Sequence, residues 1–98
     1  MGTARETDEA LLLSSDLEDF GLFYDRYVTA LLAFFQRRTD DPEAAADLTA
    51  ETFAAAMVAR RRYKPEGASA AGWLFAIAQH KLTDAPPTAG SRSPPLRR

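Results

Sequence analysis

The longest periodic stretch, residues 17–38, reads LEDFGLFYDRYVTALLAFFQRR. Its apolar residues recur every three or four positions, which predicts one long amphipathic helix with a wide buried stripe. Ser15 and Asp16 precede the stretch as candidate N-caps, while Arg37 and Arg38 place positive charge at its C-terminal end, where the helix dipole favours it. The residues expected in the buried stripe are Phe20, Phe23, Tyr24, Tyr27, Val28, Leu31, Leu32, Phe34 and Phe35. We therefore expect this helix to form the main wall of the core.

Three further segments complete the predicted fold. Residues 8–13 predict a short helix, residues 42–61 a second long helix and residues 70–83 a third, with Asp41 and Ser69 as candidate caps of the last two. One face of the second long helix is expected to bury Ala45, Leu48, Phe53, Ala56 and Met57. Strand-favouring β-branched apolar residues are scarce. The sequence therefore predicts an all-α fold, a compact three-helix bundle with a short extra N-terminal helix.

Length and composition predict a single domain with polar ends. The chain has 98 residues, enough for one modest core. Residues 1–7 are expected to form a flexible N-terminus, residues 8–84 the helical domain and residues 85–98 a disordered tail rich in Pro, Ser and Arg. The lack of cysteine excludes a disulfide framework and fits a reducing cytoplasm. No leader and no apolar run of the ~20 residues needed to span a bilayer is present, so we expect a cytoplasmic protein without a membrane partner.

The residue types offer little support for catalysis. His80 is the single histidine of the sequence, and no metal-binding motif accompanies it. Gly67 and Gly72 do not form a Gly-rich phosphate-binding loop. We therefore expect that the chain is not an enzyme and binds neither a metal nor a cofactor.

The net charge of −2 conceals an asymmetry between the two halves of the chain. Residues 1–51 carry four basic and twelve acidic side chains, whereas residues 52–98 carry eight basic and two acidic ones. This asymmetry suggests one surface for a basic protein patch and another for phosphate. A solvated distribution of charge without any partner is the alternative interpretation.

Three motifs occur in an informative order. Residues 20–27 read FGLFYDRY, residues 47–53 read DLTAETF, and residues 73–80 read WLFAIAQH after a basic loop that contains Pro and Gly. This order resembles region 2 of bacterial RNA polymerase sigma factors. In the extracytoplasmic-function branch of the sigma-70 family, the corresponding patterns are F-x-x-L-Y-x-R-Y, D-L-x-Q-E-x-F and W-L-x-x-I-A-x-N. The resemblance covers about residues 8–84.

The resemblance implies a transcription initiation module. The second long helix would dock on the coiled coil of the largest subunits of core RNA polymerase, and the loop and third helix would recognise and melt the promoter −10 element, holding its single strand through cations and aromatic rings. The implied polymerase-binding residues are Asp47, Leu48, Glu51 and Phe53. The implied DNA-binding residues are Arg60, Arg61, Arg62, Tyr63, Lys64, Trp73, Gln79, His80 and Lys81. An anti-sigma protein is a further candidate partner.

Several positions depart from the family pattern or leave an alternative open. Trp73 either stacks on a base or fills a helix junction, which is the commoner role of a tryptophan. Ala50 stands where the pattern has Gln, and His80 where it has Asn. Pro86 and Pro87 stop the third helix, and no second DNA-reading domain follows in this sequence. The alternative function is therefore a sigma-like interaction module, a competitor or regulator that binds polymerase or an anti-sigma protein without promoter recognition of its own.

Overall fold

The computed structural model describes residues 7–84, which fold into four α-helices and one turn of 3-10 helix. The α-helices are α1 (Asp8–Leu13), α2 (Leu17–Thr39), α3 (Pro42–Ala59) and α4 (Ala70–Asp84), and the 3-10 helix between α3 and α4, here called the arginine turn, is Arg60–Arg62. No strand occurs within residues 7–84, and the predicted all-α bundle with a short leading helix is confirmed. Of the segments predicted to be flexible or disordered, residues 1–7 and 85–98, all but Thr7 lie outside the described residues. Thr7 caps α1, since its hydroxyl oxygen accepts a hydrogen bond from the N–H of Ala10 at 3.1 Å.

Local capping groups fix where α2 and α3 begin. The carboxylate of Asp16 accepts a hydrogen bond from a backbone N–H in the first turn of α2 at 3.0 Å, and that of Asp41 does the same for α3 at 3.0 Å. Each bond satisfies an N–H group that the start of a helix leaves without a partner. Asp40, with a φ of 58°, adopts the left-handed conformation that ends α2. The chain therefore reverses within a few residues, and α3 packs back along α2.

The core lies between α2, α3 and α4, with α1 covering one end. Phe34 of α2 and Phe75 of α4 meet edge to face with their ring centroids 5.4 Å apart, a favoured aromatic geometry. The buried apolar residues are Leu11, Leu12, Phe20, Phe23, Leu31, Phe35, Ala44, Ala45, Leu48, Phe53, Ala56, Tyr63, Ala70, Leu74 and Ala78. The many alanines of α3 allow α2 and α4 to approach it closely.

The buried stripes are narrower than the sequence periodicity predicted. Tyr24 exposes 41% of its surface and Met57 38%, although both were expected in the core. Tyr24 lies at the edge of the α2–α3 contact, where its ring packs against that of Phe53 with centroids 4.6 Å apart. In addition, α3 ends at Ala59 and not at the predicted Arg61, because the arginine turn tightens the end of the helix into 3-10 geometry.

Candidate functional site

The exposed face of α3 carries three acids at intervals of four residues. Glu43, Asp47 and Glu51 are all exposed, and at 3.6 residues per turn they span an arc of about 80° on the helix surface. We call these three residues the acidic stripe. Acids at this spacing repel each other by ~0.2–0.5 kcal/mol per pair. Within residues 7–84 the one salt bridge joins Asp8 and Arg26, so the acidic stripe is not neutralised by the described part of the chain.

The acidic stripe is followed along α3 by exposed apolar side chains. Val58 exposes 79% of its surface and Met57 38%. Val58 lies seven residues beyond Glu51 and therefore on the same face of the helix. This apolar end was not predicted as surface, although the spacing between Glu51 and Val58 contained the signal. The exposed face of α3 thus combines negative charge with an apolar end.

Leu48 and Phe53 lie on the buried flanks of α3, about 100° and about 120° around the helix axis from Asp47, one on each side of the acidic stripe. Each exposes only 5% of its surface, and the ring of Phe53 packs on Tyr24 of α2. This burial is incompatible with the predicted contact of Leu48 and Phe53 with the polymerase, and their role is to stabilise the packing of α3 in the bundle. Of the predicted polymerase-binding residues, Asp47 and Glu51 lie on the accessible surface.

The arginine turn directs its side chains to different sides, since successive residues of a 3-10 helix lie about 120° apart. Arg60 is half-buried. Its guanidinium donates a hydrogen bond to the carbonyl oxygen of Met57 at 3.1 Å and lies 5.6 Å from the centroid of the Phe20 ring. These contacts hold one cation in a fixed position. The predicted DNA-binding cations that are exposed in this segment are Arg61, Arg62 and Lys64.

Tyr63 is buried beneath the loop that follows the arginine turn, with 4% of its surface exposed. Its hydroxyl donates a hydrogen bond to the carbonyl oxygen of Ala68 at 2.6 Å and so ties the two ends of the loop together. Burial, reinforced by the negative charges of Glu9 and Glu66, raises the pKa of Tyr63, and the hydroxyl keeps the proton that it donates. The burial of Tyr63 contradicts its predicted stacking on a base, because its ring packs on Trp73 and almost none of its surface is accessible.

Trp73 lies in the first turn of α4 and packs directly on Tyr63. The two ring centroids are 5.3 Å apart, with an angle of 56° between the planes. The indole is half-buried. Trp73 therefore fills the junction between α4 and the loop, as one of the two alternatives predicted, and keeps part of its ring accessible. Tyr63 acts as the support that sets the orientation of this ring.

The polar residues near the end of α4 do not share one face. Gln79 and His80 are exposed, whereas Lys81 is half-buried. Lys81 lies about 160° around the helix from Gln79, on the side that packs against the bundle. Lys81 is therefore the least accessible of these three predicted DNA-binding residues. His80 shares an edge of α4 with Trp73, about 10 Å further along the helix axis.

Two acids of α1 fix this short helix to α4 and α2. The carboxylate of Glu9 accepts a hydrogen bond from the backbone N–H of Ala70 at 2.9 Å and thereby helps to cap α4 from 61 positions away in the sequence. Asp8 forms a salt bridge with Arg26 at 2.8 Å and accepts a hydrogen bond from the hydroxyl of Tyr27. Burial and this hydrogen bond raise the pKa of Tyr27 to about 12. None of these three contacts was evident from sequence periodicity.

Among residues 7–84, no group of three or more His, Cys, Asp or Glu side chains is arranged to hold a metal ion. His80, exposed on α4, belongs to no such group there. None of the helices within the same residues is long and apolar enough to cross a bilayer.

Comparison with protein families identifies a match over most of the bundle. A model of the family described as Sigma-70 region 2 matches residues 23–86, which is more than half of the chain. The matched span contains most of α2 and all of α3, the arginine turn and α4. Comparisons with curated proteins and with solved structures found no match.

Proposed function

The chain belongs to the Sigma-70 region 2 family, and from this membership we propose that it docks on core RNA polymerase through α3 and holds the melted promoter −10 strand along the arginine turn and α4. Domains of this family bind core RNA polymerase and promoter −10 DNA, and they are not enzymes. The predicted resemblance to sigma factor region 2 is therefore confirmed. The assignment of the chain to the extracytoplasmic-function branch of the family remains a prediction. The proposal assigns both contacts to residues 8–84 as one domain, which acts with the polymerase in the cytoplasm.

One observation carries the proposal: α3 and the arginine turn adjoin in the chain, yet their opposite charges do not pair. Within residues 7–84 the one salt bridge is elsewhere, between Asp8 and Arg26. The exposed acids and the exposed cations are therefore both available to external groups. A basic protein surface would neutralise the first set, and the phosphates of a nucleic acid strand would neutralise the second.

The docking contact is supported by the composition of the exposed face of α3. Exposed ion pairs alone contribute ~0–1 kcal/mol each, so the acidic stripe by itself gives orientation and little affinity. Stable protein interfaces also need an apolar area that loses its water on binding. Met57 and Val58 supply such an area next to the acids. A helix of the polymerase coiled coil that carries Arg or Lys beside apolar residues would complement both parts.

The DNA contact is supported by the cations and the accessible ring that surround the loop before α4. Arg61, Arg62 and Lys64 are exposed, and each is able to neutralise one phosphate of a strand. Trp73 is partly accessible and held in place by Tyr63. Stacking of a base on an aromatic ring contributes ~1–3 kcal/mol, which is enough to hold an unpaired base out of the duplex.

Binding measurements with the 98-residue chain test both halves of the proposal. Fluorescence anisotropy is recorded with core polymerase and, separately, with a single-stranded −10-like oligonucleotide. We expect binding to both, and a DNA affinity that falls with salt at a log–log slope of about −2 to −3, since three or four neutralised phosphates contribute about −0.7 each. Arg61→Glu should weaken DNA binding and leave polymerase binding unchanged. The absence of polymerase binding, or DNA binding that does not respond to salt, would contradict the proposal.

A second candidate function is favoured by the overall charge of the domain. Residues 7–84 carry eight basic and thirteen acidic side chains, whereas free-standing DNA-binding domains are usually basic. A domain that binds polymerase or an anti-sigma protein without recognising a promoter would act as a competitor or regulator. Run-off transcription with core polymerase distinguishes the two functions. Transcripts that start at a −10-dependent site support initiation, and inhibition of another sigma factor without new transcripts supports competition.

A further inference from the structure

A pocket of about 310 Å³ lies between the α1–α2 turn and the arginine turn. Its volume is near the lower end of the range of ~300–1,000 Å³ found for ligand sites. The residues that line it are Leu13, Ser14, Ser15, Arg60 and Arg61. Two of these five side chains are permanently cationic, two carry hydroxyl groups and none is acidic. The lining therefore selects for an anion.

The polar groups of the pocket are in part held in place. Arg60 uses one N–H for its bond to the backbone of α3, which leaves further donors of its planar group for a ligand. The hydroxyl oxygen of Ser14 accepts a hydrogen bond from the backbone N–H of Asp16 at 3.0 Å, so the hydroxyl proton is available to donate. The Asp16 carboxylate accepts a hydrogen bond from the N–H of Glu18 at the start of α2 and does not line the pocket.

We propose that this pocket binds one phosphodiester group of the DNA strand, with Arg61 and Ser15 as its principal donors and Arg60 as a fixed positive charge behind them. The inference rests on the proposed DNA contact. Leu13 exposes 49% of its surface and provides an apolar wall against which the adjoining sugar packs. The lining offers hydrogen-bond donors to phosphate oxygens, and contacts of this kind fix the position and register of a strand.

A strand, and not a free phosphate, is the ligand that the surroundings favour. Arg62 and Lys64 are exposed and do not line the pocket, and the partly accessible Trp73 follows in the first turn of α4. A chain of phosphates would contact these groups in succession, whereas a single small anion would leave them unused. The α1–α2 turn thereby becomes a second wall of the DNA surface, opposite the arginine turn.

The arginine turn contains its own matched control. Arg62 has the same charge as Arg61 and is the next residue, but it does not line the pocket. Arg61→Gln and Arg62→Gln therefore remove the same charge from two different places. Ser15→Ala removes a hydroxyl of the pocket from an exposed site and changes no charge.

The test measures anisotropy of a −10-like single strand of twelve nucleotides in which one phosphodiester at a time is replaced by a neutral methylphosphonate. In the unmodified chain, we expect the replacement to weaken binding at the linkages next to exposed cations, and at the linkage held in the pocket to weaken it about tenfold, the effect of losing a charge-assisted hydrogen bond. In Arg61→Gln, the same replacement should have little further effect on binding. In Ser15→Ala, it should still weaken binding, but by less than in the unmodified chain. In Arg62→Gln, it should still weaken binding about tenfold.

The outcomes separate this inference from the function on which it rests. Two results would overturn the assignment of a phosphodiester to the pocket and leave the DNA contact intact. One is an equal loss of affinity for replacement at every linkage, and the other is the same dependence of that loss on the linkage in Arg61→Gln and in Arg62→Gln. A chain that binds none of the oligonucleotides would overturn both. Titration with inorganic phosphate, followed by the NMR signals of the arginine side chains, is a second arm. Saturation of Arg61 by millimolar phosphate without competition against the strand would identify a free-anion site and also overturn the assignment to DNA.

Discussion

Reversal of one charge in the acidic stripe, Glu51→Lys, should have opposite effects on docking and on stability. Glu51 is exposed and lies four residues after Asp47 on the same face of α3. We take about 6 Å as the distance between Glu51 and one basic side chain of the polymerase. Two unit charges at this distance in water interact by about 0.7 kcal/mol. Reversal turns an attraction to a basic partner into a repulsion, so the binding free energy should change by about 1.4 kcal/mol, a tenfold loss of affinity.

The same substitution should stabilise the isolated domain. Asp47 and Glu51 repel each other, whereas an acid followed four residues later by Lys attracts, so the free energy of unfolding should rise by ~0.4–1 kcal/mol. For a domain of this size, that gain corresponds to a Tm increase of roughly 2–6 °C. A variant that binds polymerase more weakly while melting at a higher temperature has lost a contact and not its fold.

The assay compares the Kd for core polymerase and the Tm of the same preparation. Glu66→Lys is the matched control, since it makes the same change of charge at an exposed position in the loop outside the acidic stripe. Its affinity for polymerase should stay within about twofold of the unmodified chain, because an interaction between distant exposed charges is largely screened at physiological salt. An unchanged Kd for Glu51→Lys would refute the docking role of the stripe. A lower Tm would refute the surface position of Glu51.

Three further substitutions have defined outcomes. Ala50→Gln restores the amide of the family pattern on the exposed face of α3 and should tighten polymerase binding by ~0.5–1.5 kcal/mol, measured as a lower Kd; an unchanged Kd would mean that this position is not at the interface. Tyr63→Phe removes the hydrogen bond to Ala68 and should lower the free energy of unfolding in urea by ~0.5–1.5 kcal/mol, whereas no change would indicate that water replaces the bond fully. The pKa of Tyr27, about 12 in the folded chain, is above its usual value of 10.0, so the stabilisation linked to its protonation is complete below pH 10 and is lost as the pH rises through 12. Asp8→Asn should lower this pKa in an absorbance titration of the phenolate, and an unchanged value would contradict the contribution of Asp8.

The helices could be predicted from the sequence because their signals are local. The Asp16 and Asp41 carboxylates cap N–H groups two residues ahead, and the Ser69 hydroxyl accepts from the N–H of Gly72 three residues ahead. Such short-range bonds depend on residue type and spacing alone. The starts of α2, α3 and α4 were therefore predicted correctly.

Contacts between distant segments could not be predicted in the same way. Glu9 bonds to the N–H of Ala70, and the bond joins residues that are 61 positions apart. Asp8 bonds to Tyr27 across α1 and α2. Periodicity indicates which face of a helix is buried, but not which other helix covers that face or which polar group lies opposite. The anchoring of α1 becomes evident only once the helices are assembled.

The candidate surfaces were predicted in part, and the errors at apolar and aromatic positions have one physical cause. Family patterns mark positions by residue type, and an apolar or aromatic residue in a motif serves the core as readily as a partner. Leu48, Phe53 and Tyr63 are of this kind, and all three are buried. Charged residues such as Asp47 and Arg61 are seldom buried without a partner, so their exposure followed directly from the sequence.

Hydroxyl-radical footprinting tests the separation of the two surfaces most directly, because each surface contains a readily oxidised side chain. Met57 reports on the apolar end of α3, and Trp73 reports on the DNA surface. We predict that core polymerase slows the oxidation of Met57 and leaves Trp73 unchanged, whereas a single-stranded −10-like oligonucleotide slows the oxidation of Trp73 and leaves Met57 unchanged. Protection of both side chains by the same ligand, or of neither by either ligand, would contradict two separate binding surfaces on this bundle.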